Sequence, residues 1–217
     1  MDEDIATTGT RVVYENRWMR VREDAIRRRD GSAGIYGVVE KPDFVVVAPV
    51  EAGVVHLVQQ YRYPVRGRWW ELPQGVWDAR PSRGDPIDGE GRRTPFGVRP
   101  TGGKASGAGP EGCRRSRQGA DPVEAARGEL AEETGLRAAT MAYAGRLFTA
   151  YGIMNQGCHV FLASGLTPGE AAPETEEQDL ISRAFPLSEV EAMVRDGAIA
   201  DSITVAALGL LRLKGML

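Results

Sequence analysis

Residues 121–136, "DPVEAARGELAEETGL", constrain the fold more than any other stretch, because they predict both ends of one helix. Asp121 suits the N-cap, and Pro122 suits the first helical position, where a missing N–H costs nothing. Gly135 predicts the end, since glycine readily adopts the left-handed conformation that closes helices. At about 100° per residue, one side of this helix carries an apolar stripe of Val123, Ala126 and Leu130. Such a helix packs on a neighbouring element through its apolar side.

The same helix has an acidic face formed by Glu129, Glu132 and Glu133. Like charges at this spacing repel one another, and the nearest positive side chain, Arg127, projects from the far side of the helix. Unrelieved carboxylates suit a hard divalent cation such as Mg²⁺. The alternative is a plain solvated acidic face.

The segment 79–118 differs in kind from the rest of the chain. Its 40 residues include nine Gly and five Pro, and its nine Lys/Arg against four Asp/Glu give +5, so the remaining chain carries −3 − 5 = −8. This composition buries too little apolar surface to offset the entropy of ordering, which predicts a disordered insert. Its arginine pairs could touch nucleic acid or a phosphate, but an acidic body argues against a nucleic-acid binder.

Elsewhere the pattern predicts strands, one central helix, more strands and two closing helices. Asp30-Gly31 marks a hairpin turn, and Phe44 to Val50, "FVVVAPV", reads as a strand buried on both faces. Strands are also expected for "AYAGRLFTA" and "GCHVFLAS", and Gln74-Gly75 is expected to open into a loop. The fold class predicted is therefore α/β (α+β), a sandwich around a mixed β-sheet.

Two cysteines without a CxxC motif, Cys113 and Cys158, favour a reducing cytoplasm over a disulfide framework. The N-terminal ten residues are acidic and do not resemble a secretion signal. No apolar run reaches the roughly 18 residues of a membrane span. We therefore expect a cytoplasmic protein with no membrane partner.

The stretch "GELAEETGL" resembles the second half of the Nudix box, REUxEExGU, where U is aliphatic. The first half lies upstream at residues 71–75, "ELPQG", which is similar to a segment of ADP-ribose pyrophosphatase-type Nudix hydrolases. Removing about 39 residues between Asp78 and Gln118 restores the spacing expected of an uninterrupted box. The resemblance implies a Nudix-type α/β/α sandwich, with residues 41–217 as catalytic domain and the strands of residues 1–40 as a possible element of a homodimer.

The resemblance also implies roles for individual residues. Mg²⁺, with Mn²⁺ as a substitute, would be held by Glu129, Glu133, Glu132 and the carbonyl of Gln74. Glu132 and Glu176 are the candidate catalytic residues, and the candidates for the base in the acidic loop are Glu176, Glu174 and Glu177. Substrate would contact Arg62, Glu71 and Trp70. A tryptophan at strand spacing, Trp69 or Trp70, is more often part of a core or interface than a stacking surface for a base.

The implied activity is cleavage of the pyrophosphate bond of ADP-ribose or a nucleotide-sugar to give two phosphomonoesters. Three positions depart from the family pattern, where an arginine and two glutamates are expected: Gly128, Ala120 and Gln156. These departures keep open a second interpretation, a catalytically weak or inactive nucleotide-sugar-binding regulator. A third, an acidic α/β protein unrelated to this family, conflicts with the two halves of the box.

Overall fold

The computed structural model describes residues 4–77, 121–169 and 179–217. In these ranges the strands are Ile5–Glu15 (β1), Arg20–Arg28 (β2), Ala33–Glu40 (β3), Phe44–Glu51 (β4), Val54–Arg62 (β5), Gly67–Glu71 (β6), Gln74–Val76 (β7), Leu136–Phe148 (β8), Gly157–Pro168 (β9) and Ile181–Pro186 (β10). The helices are Pro122–Thr134 (α1), Leu187–Arg195 (α2) and Ser202–Leu213 (α3). The predicted disordered insert, 79–118, lies outside the described residues, as do Ala120 and the three acidic-loop candidates Glu174, Glu176 and Glu177.

The chain forms two compact units, and the first contains residues 4–42 and 150–156. Its strands pair as an antiparallel meander in the order β1-β2-β3. At the turn between β2 and β3, the Ser32 N–H donates to Asp30 Oδ1 at 2.9 Å, and Gly31 has a φ of +84°. A side-chain bond of this kind mimics a backbone turn, so the predicted hairpin is confirmed.

The second unit contains residues 43–77, 121–149 and 157–217. Its seven-stranded sheet has the order β10-β5-β4-β9-β8, with β6 added to β5 and β7 added to β4. The pair β4 and β9 is parallel, whereas the other pairs of this sheet are antiparallel. This arrangement confirms the predicted mixed sheet.

The strand β4 lies at the centre of the core, as its apolar sequence predicted. Val45, Val46, Val47 and Ala48 are all 0% exposed. Val46 and Ala48 belong to an apolar cluster with residues of α2 and α3, while the alternate positions point to the opposite face, and α1 also packs against β4. Helices therefore cover both faces of the sheet, which is the predicted sandwich.

Two boundaries differ from the sequence-based expectations. Gln74 to Val76 form a short strand, β7, instead of opening into a loop, because Gln74 pairs with Val46 and Val76 pairs with Phe44. β8 begins directly after the helix and is longer than expected, since it pairs with β9 along its whole length. Both boundaries are set by pairing with a strand that is distant in the sequence, and local sequence patterns do not reveal such pairing.

None of the helices in the described ranges is both long and apolar enough to cross a membrane.

The Cys158 thiol is fully buried, and burial, with the nearby charges of Asp201 and Asp43, raises its pKa to about 12. A thiol with such a pKa stays protonated and unreactive near neutral pH.

Candidate active site

The helix α1 is built as its sequence predicted. Asp121 Oδ1 accepts a hydrogen bond from the Val123 N–H at 3.0 Å, Pro122 follows the cap, and Gly135 ends the helix with a φ of +69°. Ala126 and Leu130 on the apolar side are 0% and 1% exposed. With its apolar side fixed against the sheet, the helix has a defined rotation, which in turn determines where its glutamates lie.

Two of the three glutamates predicted as metal ligands, Glu129 and Glu133, meet the short strand β7. The Gln74 N–H donates to Glu133 Oε2 at 3.1 Å, and the Glu133 residue is 2% exposed. A Cβ atom placed on Gly75 would lie 2.0 Å from Glu129 Cδ, so only glycine leaves room for the Glu129 carboxyl group there. The structure thus brings the two halves of the predicted motif together across a long sequence gap.

Glu129 and Glu133 supply two carboxylates beside the backbone of Gln74 and Gly75, donors that a hard divalent cation can use. Across the described ranges, no three His, Cys, Asp or Glu side chains gather as a metal-binding group. Mg²⁺, however, usually takes one or two carboxylates and completes its shell with waters and substrate phosphates. Glu132, the third predicted ligand, lies half-buried on the same helix.

Arg62 and Glu71, both predicted to lie near substrate, form an ion pair with each other. Arg62 Nε donates to Glu71 Oε2 at 3.2 Å, and Gln60 Nε2 donates to Glu71 Oε1 at 3.0 Å. Glu71 is 2% exposed, whereas 39% of the Arg62 side chain is exposed. Glu71 therefore holds the guanidinium in place, and Arg62 is the member of the pair that solvent or a ligand can reach.

The ionisation of Glu71 is under competing influences. Burial raises its pKa above the ordinary value, Arg62 opposes this, and the negative charge of Asp201 adds to the rise. A buried carboxylate is costly unless it is paired and hydrogen-bonded, and here three N–H donors supply that compensation.

Trp70 makes an edge-to-face contact with Phe185 at a centroid distance of 4.9 Å. It also packs against the apolar cluster shared with α2 and α3. This contact supports the alternative, that Trp70 is a core side chain, while stacking on a base stays a prediction. Trp69, the neighbouring residue, is half-buried.

Two side chains at or beside the described departures from the family pattern donate to backbone carbonyls. Arg127, next to Gly128, donates to the Ala138 carbonyl at 2.6 Å, so its guanidinium is directed towards β8. Gln156 is 8% exposed and donates through Nε2 to the Pro42 carbonyl at 2.8 Å within the first unit.

One contact beside the motif had no signal in the sequence analysis. The Leu72 N–H, within the "ELPQG" stretch, donates to Thr204 Oγ1 of α3 at 2.9 Å. Asp201, the N-cap three residues before Thr204, could have marked the start of a helix. No local signal could have shown that Thr204 bonds Leu72, 132 residues away in the sequence.

The chain is similar in sequence to several known proteins. Residues 5–39 match a family model for the nucleoside diphosphate sugar hydrolase N-terminal domain. The chain is 27% identical over 209 residues to an ADP-ribose pyrophosphatase of Mycobacterium tuberculosis (strain ATCC 25618 / H37Rv), covering 95% of this chain and 83% of that protein. It is 23% identical over 210 residues to a methanol dehydrogenase activator of Bacillus methanolicus, covering 96% and 92%.

A crystal structure of an ADP compounds hydrolase has the same fold, with a TM-score of 0.72, 19% identity, and coverage of 99% of this chain and 96% of that one. The nucleoside diphosphate sugar hydrolase model, the ADP-ribose pyrophosphatase and the ADP compounds hydrolase are all named as hydrolases of phosphorus anhydrides, and the chain is similar to each of them. This similarity agrees with the resemblance to ADP-ribose pyrophosphatase-type Nudix hydrolases that the motif suggested.

Proposed function

We propose that this chain is a Mg²⁺-dependent hydrolase, with Mn²⁺ as a substitute, that cleaves the pyrophosphate bond of a nucleoside diphosphate linked to a sugar. ADP-ribose is the first candidate, since the Mycobacterium tuberculosis relative is an ADP-ribose pyrophosphatase. The observation that carries the proposal is the convergence of Glu129 and Glu133 on Gln74 and Gly75.

The reaction adds water to one phosphorus, breaks the bridging P–O bond and leaves two phosphomonoesters. A bound divalent cation would spread the negative charge of the diphosphate and acidify a water. Glu129 and Glu133, with Glu132 and the Gln74 carbonyl, would hold it. The half-exposed Arg62 guanidinium, fixed by Glu71, would bind a phosphate or ribose oxygen. Glu176 is proposed as the group that removes the proton of the attacking water.

The test is a panel of ADP-ribose and nucleotide-sugars, with release of phosphomonoesters measured in the presence of Mg²⁺. Glu133→Gln should abolish release, because the amide removes one charge at the proposed metal position. Glu124→Gln is the matched control, since Glu124 lies exposed in the first turn of the same helix. Equal activity of Glu133→Gln and the wild-type protein would refute the proposed site.

A catalytically weak or inactive regulator that binds nucleotide-sugars is the second candidate. Gly128 stands where the motif has an arginine, and the Bacillus methanolicus relative is a methanol dehydrogenase activator. Ligand binding by calorimetry without any product in the same panel would support the regulator and overturn the enzyme.

We propose further that the protein is a cytoplasmic homodimer that assembles through the N-terminal sheet. Several large apolar side chains of this sheet are exposed in the single chain: Ile5, Val12, Val13, Tyr14 and Ile35. Patches of this kind commonly mark protein interfaces. Val13→Arg should reduce the mass measured by light scattering to that of a monomer, whereas Leu213→Arg, at a residue 90% exposed on α3, should not. A wild-type protein that is already monomeric would refute the dimer.

A further inference from the structure

The backbone between β6 and β7 is fixed by three different elements. The Leu72 N–H donates to Thr204 Oγ1 of α3 at 2.9 Å, and the Pro73 carbonyl accepts from the Val47 N–H of β4 at 2.9 Å. Gln74, the next residue, donates to Glu133 of α1 at 3.1 Å. Consecutive residues are thus held by a helix, a strand and a second helix.

The Thr204 hydroxyl group is held in one orientation. Its Oγ1 donates to Asp201 Oδ2 at 2.8 Å, and the Thr204 N–H donates to the same oxygen at 2.8 Å. Since the hydroxyl proton is directed at Asp201, the lone pairs of Oγ1 remain to accept from Leu72. Thr204 is 0% exposed, and a β-branched side chain in a helix has few rotamers available.

Leu72 itself is 0% exposed and packs in the cluster shared with α2 and α3. Its amide is therefore out of reach of water, and an amide buried without an acceptor is costly. Without the Thr204 hydroxyl, the Leu72 amide would regain an acceptor only if the backbone of residues 72–74 moved. Such a movement would displace the Gln74 N–H from Glu133 and Gly75 from Glu129.

We propose that Thr204 is a positioning residue of the active site. It links the capped N-terminus of α3 to Leu72 and so sets the backbone of Gln74 and Gly75 against the glutamates of α1. Thr204 touches neither substrate nor metal in this account and acts through the backbone alone. The inference rests on the proposed function, because that proposal makes Gln74 and Gly75 part of the site.

The test compares Thr204→Val, which keeps the shape and removes the acceptor, with Thr204→Ser, which keeps the hydroxyl. Amide hydrogen exchange is measured at Leu72 and Gln74, together with kcat and KM. In Thr204→Val we expect exchange at both amides to rise by about tenfold, as for one lost hydrogen bond. We expect kcat to fall by about tenfold with KM little changed, and Thr204→Ser to restore both quantities.

Thr140→Val is the matched control, since Thr140 is an exposed residue of β8 and should leave both measurements unchanged. Unchanged exchange at Gln74 in Thr204→Val would overturn the inference, and so would an equal rise at all amides, which indicates only a less stable fold. If Thr204→Val does not fold, Thr204→Cys takes its place under the same criteria, since sulfur is a weaker acceptor.

Hydrogen exchange requires no turnover, so it separates the two proposals. A wild-type protein that hydrolyses no substrate would refute the proposed function. A rise confined to Leu72 in Thr204→Val would refute the positioning role, even in an active enzyme.

Discussion

The two sheets of this protein are stabilised in different ways. In the seven-stranded sheet, β4 has four consecutive residues that are 0% exposed, Val45 to Ala48, with helices on both faces. In the three-stranded sheet, β1 is exposed at every one of its 11 residues. Small sheets without a covered apolar face are only marginally stable on their own. The larger sheet thus depends on its apolar core. The smaller one depends on strand pairing, turns, the ion pairs of Arg20 and Arg22 with the buried Glu40 and, under our proposal, a second subunit.

The largest expected effect is that of a core substitution in the seven-stranded sheet. Leu57 is 0% exposed in β5, and Ile35 is 68% exposed in β3. Leu57→Ala should lower the free energy of unfolding by about 2–5 kcal/mol, through lost burial and an unfilled cavity. Ile35→Ala should change it by less than about 0.5 kcal/mol in the monomer. Chemical denaturation measures both, and equal costs would show that the two sheets are not stabilised differently.

A smaller effect is expected at the turn of the three-stranded sheet. Gly31 has a φ of +84° with no atom within 4 Å of an added Cβ, so the cost of a side chain there is conformational alone. Gly31→Ala should destabilise the protein by about 1 kcal/mol. Gly37, in β3, also has open space around an added Cβ but an ordinary φ, and Gly37→Ala is the control. A neutral Gly31→Ala would mean that the turn does not support the small sheet.

The smallest expected effect is a pH dependence at Asp43, where the parallel strands β4 and β9 begin. Burial alone would raise the pKa of Asp43, but hydrogen bonds from His159 and the Gly157 amide and the charge of Arg146 outweigh it, so the pKa is lowered. A carboxyl group whose pKa is lower in the folded state contributes stability above its unfolded pKa and loses that contribution as pH falls through the folded value. Asp43→Asn should therefore flatten the acid side of the stability curve. An unchanged acid side would remove Asp43 from the account.

Local signals in the sequence predicted much of the fold. The helix ends at Asp121 and Gly135, the turn at Asp30 and the buried strand β4 all follow from short-range chemistry, and the structure agrees. The pairing of β7 with β4 could not be predicted from local signals, because it joins residues about 30 positions apart. The parallel pair of β4 and β9 is more distant still.

The candidate site shows the same division. The resemblance implied that Glu129, Glu133 and Gln74 act together. The structure places Gln74 against Glu133 and Gly75 against Glu129. The resemblance could not predict that Glu71 is buried as the partner of Arg62, because the identity of a residue does not show whether its carboxylate is buried or exposed. The assigned chemical roles of all these residues remain predictions.

The central claim is that α1 and the "ELPQG" stretch form one catalytic site despite the residues that separate them. The most direct test is Gly75→Ala, because a Cβ there would lie 2.0 Å from Glu129 Cδ and must displace that carboxyl group. A displacement of about 1 Å can cost roughly 100-fold in rate. We predict such a loss of hydrolysis in a protein that still folds, and no further loss when Gly75→Ala is added to Glu129→Gln. Full activity of Gly75→Ala, or independent losses in the double variant, would contradict the account.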